Sequence, residues 1–275
     1  MTVTTERAIA LAQRIKLPNG IELPYVEQGD PAGVSVLFLH GYSDSWHSFE
    51  PMLPHLPPSI HAIALTLRGH GDATRPVAGY AMADYAADVI NVADALGLDR
   101  FVVAGHSMGA IAATKLAIDY PERILGFVGI GTLVDSASNP VLNDLWNYVA
   151  PLTDPIDRAF AWEFQESTLA QPIPTEFLER FVDESMKLPA RVWKAALAGI
   201  LATNHTDEIN GISAPALMIW GDRDEMATLS EQYSLVAASP RGRLVVYEGA
   251  GHAAHWEEPA RVAADIAAFI AEITD

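Results

Sequence analysis

Cysteine is absent from the 275 residues of this chain. The sequence therefore excludes disulfide bonds, a thiolate nucleophile and cysteine-ligated metals, and any nucleophilic chemistry must fall to an oxygen atom. The lack of cysteine is compatible with any compartment and gives no sign of secretion.

Basic residues are scarce as well. The chain has 17 Lys and Arg against 35 Asp and Glu, which gives a formal net charge of −18. A charge of this sign repels nucleic acids and anionic lipid surfaces, so neither is an expected partner. The acidic residues are scattered along the chain, which is typical of a solvated surface.

Long apolar runs are also missing. No stretch approaches the length of a membrane span, so we expect no membrane insertion. Arg7 and Arg14 interrupt the short apolar segment near the N-terminus, which therefore differs from a signal peptide. We expect a mature chain that begins near Met1 and a cytoplasmic location. Half of the residues are hydrophobic, enough for one large core or for a core with a modest insertion.

Short, apolar, β-branched runs recur along the chain with helical segments between them. Such runs are typical of strands in a parallel sheet that helices cover on both faces. An alternating segment around Asn19-Gly20 predicts an antiparallel hairpin at the edge of the sheet. The predicted fold class is α/β, with a mostly parallel central sheet flanked by helices. The predicted strands are at residues 34–40, 61–67, 101–105, 124–131, 214–220 and 243–249.

Two segments between and after these strands have helical periodicity. Apolar residues recur at helical spacing from Met82 to Leu96, and Gly97 stands where a C-terminal cap belongs. The segment at residues 258–273 has the same period, which predicts a closing helix.

The interval at residues 135–203 breaks this rhythm. It lacks a strand-like run, and six prolines divide it into helical pieces. We predict an inserted, all-helical cap at 135–203, with residues 1–134 and 204–275 forming the core. The interval is mildly rich in aromatic residues, some expected to pack the cap onto the core and others to line an apolar pocket. The candidates for substrate binding are Trp146, Trp162 and Trp193.

A sharp turn joins the predicted strand at residues 101–105 to an alanine-rich helical stretch. Its sequence, Gly-His-Ser-Met-Gly, places Ser107 at the tip with glycines on both sides, which leave room for the neighbouring strand and helix. The start of the helix offers free N–H groups to a developing oxyanion. His106 is expected to support the turn. The alternative interpretation is a glycine-rich turn in which Ser107 is only a helix N-cap.

A serine hydroxyl is a poor nucleophile at neutral pH. It needs a histidine as base and a carboxylate that orients the histidine. Asp222 and Asp224 come directly after one predicted strand, and His252 and His255 follow the next. These residues supply both partners on loops at the ends of strands.

Three motifs occur in a fixed order along the chain. They are His-Gly-Tyr at 40–42, the Gly-His-Ser-Met-Gly turn at 105–109, and Trp-Gly-x-x-Asp at 220–224 followed by Gly-x-Gly-His at 249–252. From about residue 34 to its end, the chain resembles the α/β-hydrolase fold superfamily, and in particular its serine esterase and lactonase-like members with a helical cap.

The resemblance implies a catalytic triad of nucleophile, orienting acid and general base. Its members are Ser107, Asp224 and His252. The spacing from the Trp-Gly pair favours Asp224 over Asp222, and the glycine-flanked position favours His252 over His255.

The resemblance also implies an oxyanion hole formed by two backbone N–H groups, those of Tyr42 and Met108. The Tyr42 phenol has two open roles, substrate contact or packing. His40 is expected to hold its loop by hydrogen bonds. Two residues depart from the usual pattern near the site: Thr66 replaces a common aspartate, and Thr228 stands where a proline often follows the acid.

The implied activity is hydrolysis of a small apolar carboxylic ester or lactone through an acyl-serine, with no cofactor and no metal. Relatives that cleave carbon–halogen bonds or epoxides have an aspartate at the nucleophile position, so Ser107 disfavours both activities. The alternatives are a carbon–carbon bond hydrolase, which His106 weakly disfavours, a cofactor-free peroxidase, and a ligand receptor that keeps a slow triad.

Overall fold

The apolar runs of the sequence form one eight-stranded sheet in the computed structural model, which describes residues 12–274. The six predicted inner strands lie within two residues of the observed bounds. The strands are β1 (Gln13–Lys16), β2 (Glu22–Gln28), β3 (Val34–Leu39), β4 (Ile60–Leu65), β5 (Phe101–His106), β6 (Ile124–Ile130), β7 (Ala216–Gly221) and β8 (Gly242–Tyr247).

The strand order across the sheet is β1-β2-β4-β3-β5-β6-β7-β8. Neighbouring strands from β4 to β8 run parallel, and β1 and β2 are antiparallel additions at one edge. In this register Leu39, at the end of β3, pairs with Leu65 of β4 and with Gly105 of β5. The predicted fold class, including the hairpin around Asn19-Gly20, is confirmed.

The described residues also form nine α-helices. Gly97 follows the first of them with a φ of 71°, as expected of a helix-ending glycine. The helices are α1 (Met82–Ala95), α2 (Met108–Asp119), α3 (Pro140–Val149), α4 (Arg158–Glu166), α5 (Thr175–Met186), α6 (Ala190–Leu201), α7 (Leu229–Ala238), α8 (Ala254–Glu257) and α9 (Pro259–Thr274).

The sheet separates two apolar clusters because successive side chains of a strand point to opposite faces. In β3, Leu37 and Leu39 belong to the cluster that contains α1 and α2, whereas Val36 and Phe38 belong to the cluster that contains α9. Coverage on both faces explains why the inner strands are continuous apolar runs rather than alternating ones.

The helices α3 to α6 lie between β6 and β7, and we call the segment from Pro140 to Leu201 the helical insertion. The segments just before and just after it are joined by hydrogen bonds. Asp135 forms an isolated bridge with Asn204, and His205 N–H donates to Val134 O at 2.8 Å. The division of the chain into core and cap domains at residues 135 and 203 stays a prediction.

Within residues 12–274, no helix is both long and apolar enough to cross a membrane. The segment that contains Arg7, on which the sequence-based expectation of a mature N-terminus near Met1 rests, lies outside the described residues.

The parallel strands all point their carboxyl ends to one edge of the sheet. Loops that follow strands there are the usual place for a site in an open α/β sheet. The loops after β3, β5, β7 and β8 carry Tyr42, Ser107, Asp224 and His252 respectively.

Candidate active site

Ser107 lies at the sharp turn between β5 and α2. Its φ of 50° and ψ of −116° are in a region that residues with a side chain rarely adopt. The Ser107 N–H donates to Ile130 O at 2.9 Å, and Ser107 O accepts from the N–H groups of Ala110 and Ile111. Ser107 precedes α2, yet its side chain makes no capping hydrogen bond within the described residues. The turn is therefore fixed through its backbone, and the interpretation of Ser107 as only an N-cap is not supported.

The glycines of this turn stand where two backbone segments touch. A Cβ atom on Gly105 would overlap the carbonyl group of Gly109, and one on Gly109 would overlap Leu39 O of the neighbouring strand. A side chain at either position would force the helix away from the sheet, so the turn requires both glycines.

Asp224 and His252 form a buried hydrogen-bonded pair on the neighbouring loops. Asp224 Oδ2 lies 2.8 Å from His252 Nδ1, and Asp224 Oδ1 accepts the N–H groups of Met226 and Ala227. The His252 and Asp224 side chains are 3% and 0% exposed. Because the carboxylate accepts a hydrogen bond from Nδ1–H, Nε2 is the acceptor nitrogen of the neutral ring. It is buried without a partner in residues 12–274, and His252 lines the same cavity as Ser107.

The competing acid and histidine have other partners. Asp222 Oδ1 accepts the Gly249 N–H at 2.7 Å and so ties two loops together at the surface. His255 Nε2 lies 3.1 Å from Ser48 Oγ, and burial, together with the nearby histidine of the pair, lowers the pKa of His255 to about 3. Both residues therefore have contacts of their own outside the pair of Asp224 and His252.

The loop after β7, which carries Asp222 and Asp224 and is called the acid loop below, is held by the residues around it. Trp220 Nε1 donates to Ala227 O at 2.8 Å. Thr228 caps α7, since its side chain accepts the Glu231 N–H while the Glu231 carboxylate accepts the Thr228 N–H. The threonine that replaces the usual proline therefore supplies a helix N-cap.

The two predicted oxyanion-hole residues are Met108, which begins α2, and Tyr42, which lies in the loop after β3. Met108 is the first residue of α2, so its N–H has no acceptor within the helix. Tyr42 lines the cavity beside Ser107, but its hydroxyl donates to Trp193 O at 2.6 Å. That bond favours the packing role of the phenol, because the hydroxyl is already used to hold the helical insertion.

The loop that carries Tyr42 is held by hydrogen bonds of His40 and Thr66. His40 Nδ1 lies 2.8 Å from Gly41 O, and His40 Nε2 accepts the Leu67 N–H at 2.9 Å. Thr66, which replaces a common aspartate, accepts the N–H of Trp46 through its hydroxyl at 3.2 Å. His40 thus has the loop-holding contacts expected of it.

Ser43, directly after Tyr42, has a φ of 66°. Among residues 12–274, Ser43 and Ser107 are the two non-glycine residues with positive φ. Such conformations are kept only where the surroundings over-determine them, and they concentrate at functional sites. Here both flank the same cavity.

A buried polar network from the helical insertion holds this strained loop. Gln165 Nε2 lies 2.7 to 3.2 Å from Ser185 Oγ, Asp44 Oδ1 and Ser43 Oγ, and Ser185 Oγ donates to Ser43 O at 3.2 Å. Gln165 and Ser185 belong to no sequence motif and were not predicted as site residues. Only the position of Ser43 and Asp44 directly after the His-Gly-Tyr motif gave a signal.

Asp44 is a buried carboxyl group that lines the cavity beside Ser107. Burial raises the pKa of Asp44 to about 7, against the opposing effect of hydrogen bonds from Gln165 and Ser48. The nearest basic side chain is His106, whose Nδ1 lies 3.9 Å from Asp44 Oδ2. Burial, reinforced by two neighbouring histidines, holds the pKa of His106 well below its usual range, so His106 gives Asp44 no cationic partner.

The cavity beside Ser107 measures about 20 Å³ and is lined by apolar and polar groups, among them Phe164, Gln165 and Asp44. None of the three predicted tryptophans is among its lining residues. Trp193 is fully buried against Tyr42 and Phe164, Trp146 packs on the main core, and Trp162 packs on a small cluster within the insertion. These large side chains hold the insertion together and onto the sheet, and the substrate contacts of Trp146, Trp162 and Trp193 stay a prediction.

In the part of the chain that the structure describes, no three His, Asp or Glu side chains converge to hold a metal ion.

The comparisons with known proteins agree with the observed fold. Residues 34–259 match the profile of the alpha/beta hydrolase fold family. The chain belongs to this family. An uncharacterised protein of Mycobacterium tuberculosis is 24% identical to this alpha/beta hydrolase over 255 residues, which are 84% of this chain and 73% of the relative.

Two solved structures superpose over almost the whole hydrolase. A membrane phospholipase A, described as a bacterial virulence factor, is 25% identical with a TM-score of 0.84, covering 96% of this chain and 87% of its own. An N-acyl homoserine lactone degrading enzyme, Est816, is 26% identical with a TM-score of 0.79, covering 94% of this chain and 100% of its own.

Proposed function

We propose that this alpha/beta hydrolase cleaves carboxylic esters through an acyl-enzyme formed on Ser107. The observation that carries the proposal is the buried pair of Asp224 and His252, whose free Nε2 shares a small cavity with the strained Ser107. A serine, a histidine and a carboxylate in these relations are the parts that nucleophilic acyl transfer needs. Similarity to a phospholipase A and to a lactone degrading enzyme supports the choice of bond.

In the proposed first half-reaction, His252 Nε2 takes the hydroxyl proton as Ser107 Oγ bonds to the substrate carbonyl carbon. The carbonyl π electrons move to the oxygen, and the N–H groups of Tyr42 and Met108 stabilise the oxyanion. The imidazolium, held by Asp224, then gives its proton to the leaving alkoxide as the carbon–oxygen bond breaks.

In the second half-reaction, His252 accepts a proton from a water molecule that attacks the acyl carbon. Collapse of this second oxyanion releases the carboxylic acid and returns the proton to Ser107 Oγ. The free enzyme is regenerated, so the cycle needs water and no other co-reactant.

The fixed backbone of Ser107 supports catalysis rather than mere architecture. Hydrogen bonds on both sides of Ser107 keep its position constant, so little reorganisation is needed when charge develops. A ligand receptor that keeps a slow triad is the alternative, and it predicts tight binding of a ligand with little turnover of any ester.

The test is hydrolysis of p-nitrophenyl acetate by the wild type and the Ser107→Ala variant. We expect Ser107→Ala to lower kcat/KM by at least about 10³-fold, because no covalent intermediate forms. Ser138→Ala, which changes an exposed serine of the same chain, serves as the control and keeps wild-type activity.

Undiminished cleavage of p-nitrophenyl acetate by Ser107→Ala contradicts the proposal. A ring-cleavage diketone assayed beside the ester separates the carbon–carbon hydrolase alternative, which predicts turnover of the diketone in preference to the ester.

A further inference from the structure

Two spaces of very different size meet at His252. The first is the cavity of about 20 Å³ beside Ser107, and the second is an open groove of about 540 Å³. Thr168 and Met226 also border both spaces and form the neck between them. A substrate bound across the neck therefore has one small half and one large half.

The proposed chemistry determines which half is which. The leaving oxygen must receive its proton from His252 Nε2, whereas the acyl carbon stays bonded to Ser107 with its oxyanion at the Tyr42 and Met108 N–H groups. The groove lies between the helical insertion and the loops after β7 and β8, which carry Arg223 and His252. The alcohol half consequently occupies the groove, and the acyl half occupies the small cavity.

The acyl side has little room. A cavity needs roughly 10 to 15 Å³ of such space for one water molecule, so about 20 Å³ accommodates a group of methyl size. Its aromatic walls are fixed by contacts of their own. Phe164 packs edge-on against Tyr42 and Trp193 at 5.5 and 5.6 Å, and Trp256 Nε1 donates to Ser48 O at 2.9 Å. A longer acyl chain must break these contacts to enter.

The groove is polar on several sides. Arg223 and Glu225 come from the acid loop, and Ser167 and Gln171 come from the helical insertion. Gln171 Nε2 donates to Gly249 O at 3.0 Å, which ties the insertion to the loop before His252. Charged and hydrogen-bonding groups in a space of this size match an alcohol that carries several hydroxyl groups.

Resting on the proposed ester hydrolysis, we infer that the substrate is an acetyl-sized ester of a larger, polar alcohol such as an O-acetylated polyol or sugar. The selective element is the acyl cavity, and Phe164 is its size-limiting wall.

The first experiment is a chain-length series with one leaving group. p-Nitrophenyl acetate, butyrate, hexanoate and octanoate are assayed with the wild type and with Ser107→Ala as background. We expect kcat/KM to fall by at least about 100-fold from acetate to hexanoate, because each further methylene lacks space. A pair of acetates, ethyl acetate and a methyl glucoside acetylated only at its 6-hydroxyl, then tests the groove. The glucoside keeps its other hydroxyl groups free, and it is expected to be the better substrate.

The second experiment enlarges the acyl cavity with Phe164→Ala. We expect the ratio of hexanoate to acetate kcat/KM to rise by about 10-fold or more, because the removed ring vacates the space beside Ser107. Phe160→Ala is the matched control. Phe160 lies on the same helix and packs on Trp193 at 5.4 Å, but it does not line the cavity, so its ratio stays at the wild-type value.

The outcomes separate the inference from the function on which it rests. Chain lengths cleaved within about 3-fold of one another contradict the small acyl cavity while ester hydrolysis stands. A preference for ethyl acetate over the acetylated glucoside contradicts the assignment of the groove to a large polar alcohol. No cleavage of any ester above the Ser107→Ala background contradicts the proposed function itself. The wild-type series decides the acyl preference even where Phe164→Ala fails to fold.

Discussion

At the scale of single residues, the site combines a strained serine with a pre-oriented histidine. Ser107 keeps its unusual φ because backbone hydrogen bonds hold it from both neighbouring elements. His252 keeps Nε2 free because its Nδ1–H donates a hydrogen bond to Asp224. Each feature removes a step of reorganisation from the proposed reaction.

The two aspartates of the acid loop provide a direct residue-scale prediction. Asp224→Asn removes the carboxylate that orients His252 and stabilises its imidazolium, so we expect kcat to fall by about 10³- to 10⁴-fold. Asp222→Asn makes the same chemical change two residues away, where the carboxylate accepts the Gly249 N–H, and we expect less than about a 3-fold effect.

Steady-state kinetics on p-nitrophenyl acetate compares the two variants. Equal losses of kcat in both variants, or a larger loss in Asp222→Asn, would contradict the assignment of Asp224 as the carboxylate that orients His252.

Asp44 provides a prediction on pH. Burial raises the pKa of its carboxyl group to about 7, so between roughly pH 4 and pH 7 the folded protein holds a proton that the unfolded chain has released. Folding stability from this group therefore falls as pH rises through that range. Asp44→Asn is neutral at every pH and avoids the loss.

We expect the Tm of Asp44→Asn, relative to wild type, to be higher at about pH 8 than at about pH 5. Asp99→Asn, at an exposed position, removes the same formal charge and is the control for net charge. Thermal unfolding at both pH values tests the prediction. If Asp44→Asn and Asp99→Asn change the Tm by the same amount at both pH values, the pKa of Asp44 is not raised in the folded protein.

At the scale of secondary-structure elements, the helical insertion supports the loop after β3, which carries Tyr42 and Ser43. Ser185 of α5 and Gln165 of α4 contact the strained Ser43, whose neighbour Tyr42 supplies a proposed oxyanion-hole N–H. The insertion thus reaches the site through polar contacts as well as through Phe164, which borders the cavity.

Ser185→Ala tests this support. Loss of its hydroxyl removes the contacts with Ser43, so we expect kcat to fall by about 10-fold while KM changes by less than about 3-fold. The control is Ser234→Ala on α7, because Ser234 and Ser185 each donate to a carbonyl four residues earlier, but only Ser185 also contacts the loop.

Kinetics on p-nitrophenyl acetate separates kcat from KM in both variants. A rise in KM with unchanged kcat would make Ser185 a contributor to binding and contradict a positioning role.

Much of this architecture follows from local signals in the sequence. Buried parallel strands are continuous apolar runs, and the glycines at 105 and 109 are required wherever a helix begins so close to a sheet, so both were predictable. Gln165 and Asp44 were not, because their contacts span 121 residues and no periodicity encodes such a distance. The packing of the tryptophans was not predictable either, since aromatic enrichment alone does not say whether a ring faces the core or a cavity.

At the scale of the whole molecule, the parallel sheet brings distant parts of the chain to one edge. Residues 42, 107, 224 and 252 follow four different strands, and they meet there because the carboxyl ends of those strands are neighbours. The excess of acidic residues gives the whole molecule a negative net charge. Uncharged esters suit such a surface better than polyanions.

The central claim is that Ser107 is the acylated nucleophile, and covalent labelling tests it most directly. Wild-type protein treated with a fluorophosphonate is digested with trypsin and analysed by mass spectrometry. We expect one adduct, on the tryptic peptide 101–115, in which Ser107 is the sole serine. We also expect no adduct in Ser107→Ala and slower labelling in His252→Ala. An unlabelled wild type, or an adduct on any other residue, would contradict the assignment of Ser107 as the nucleophile.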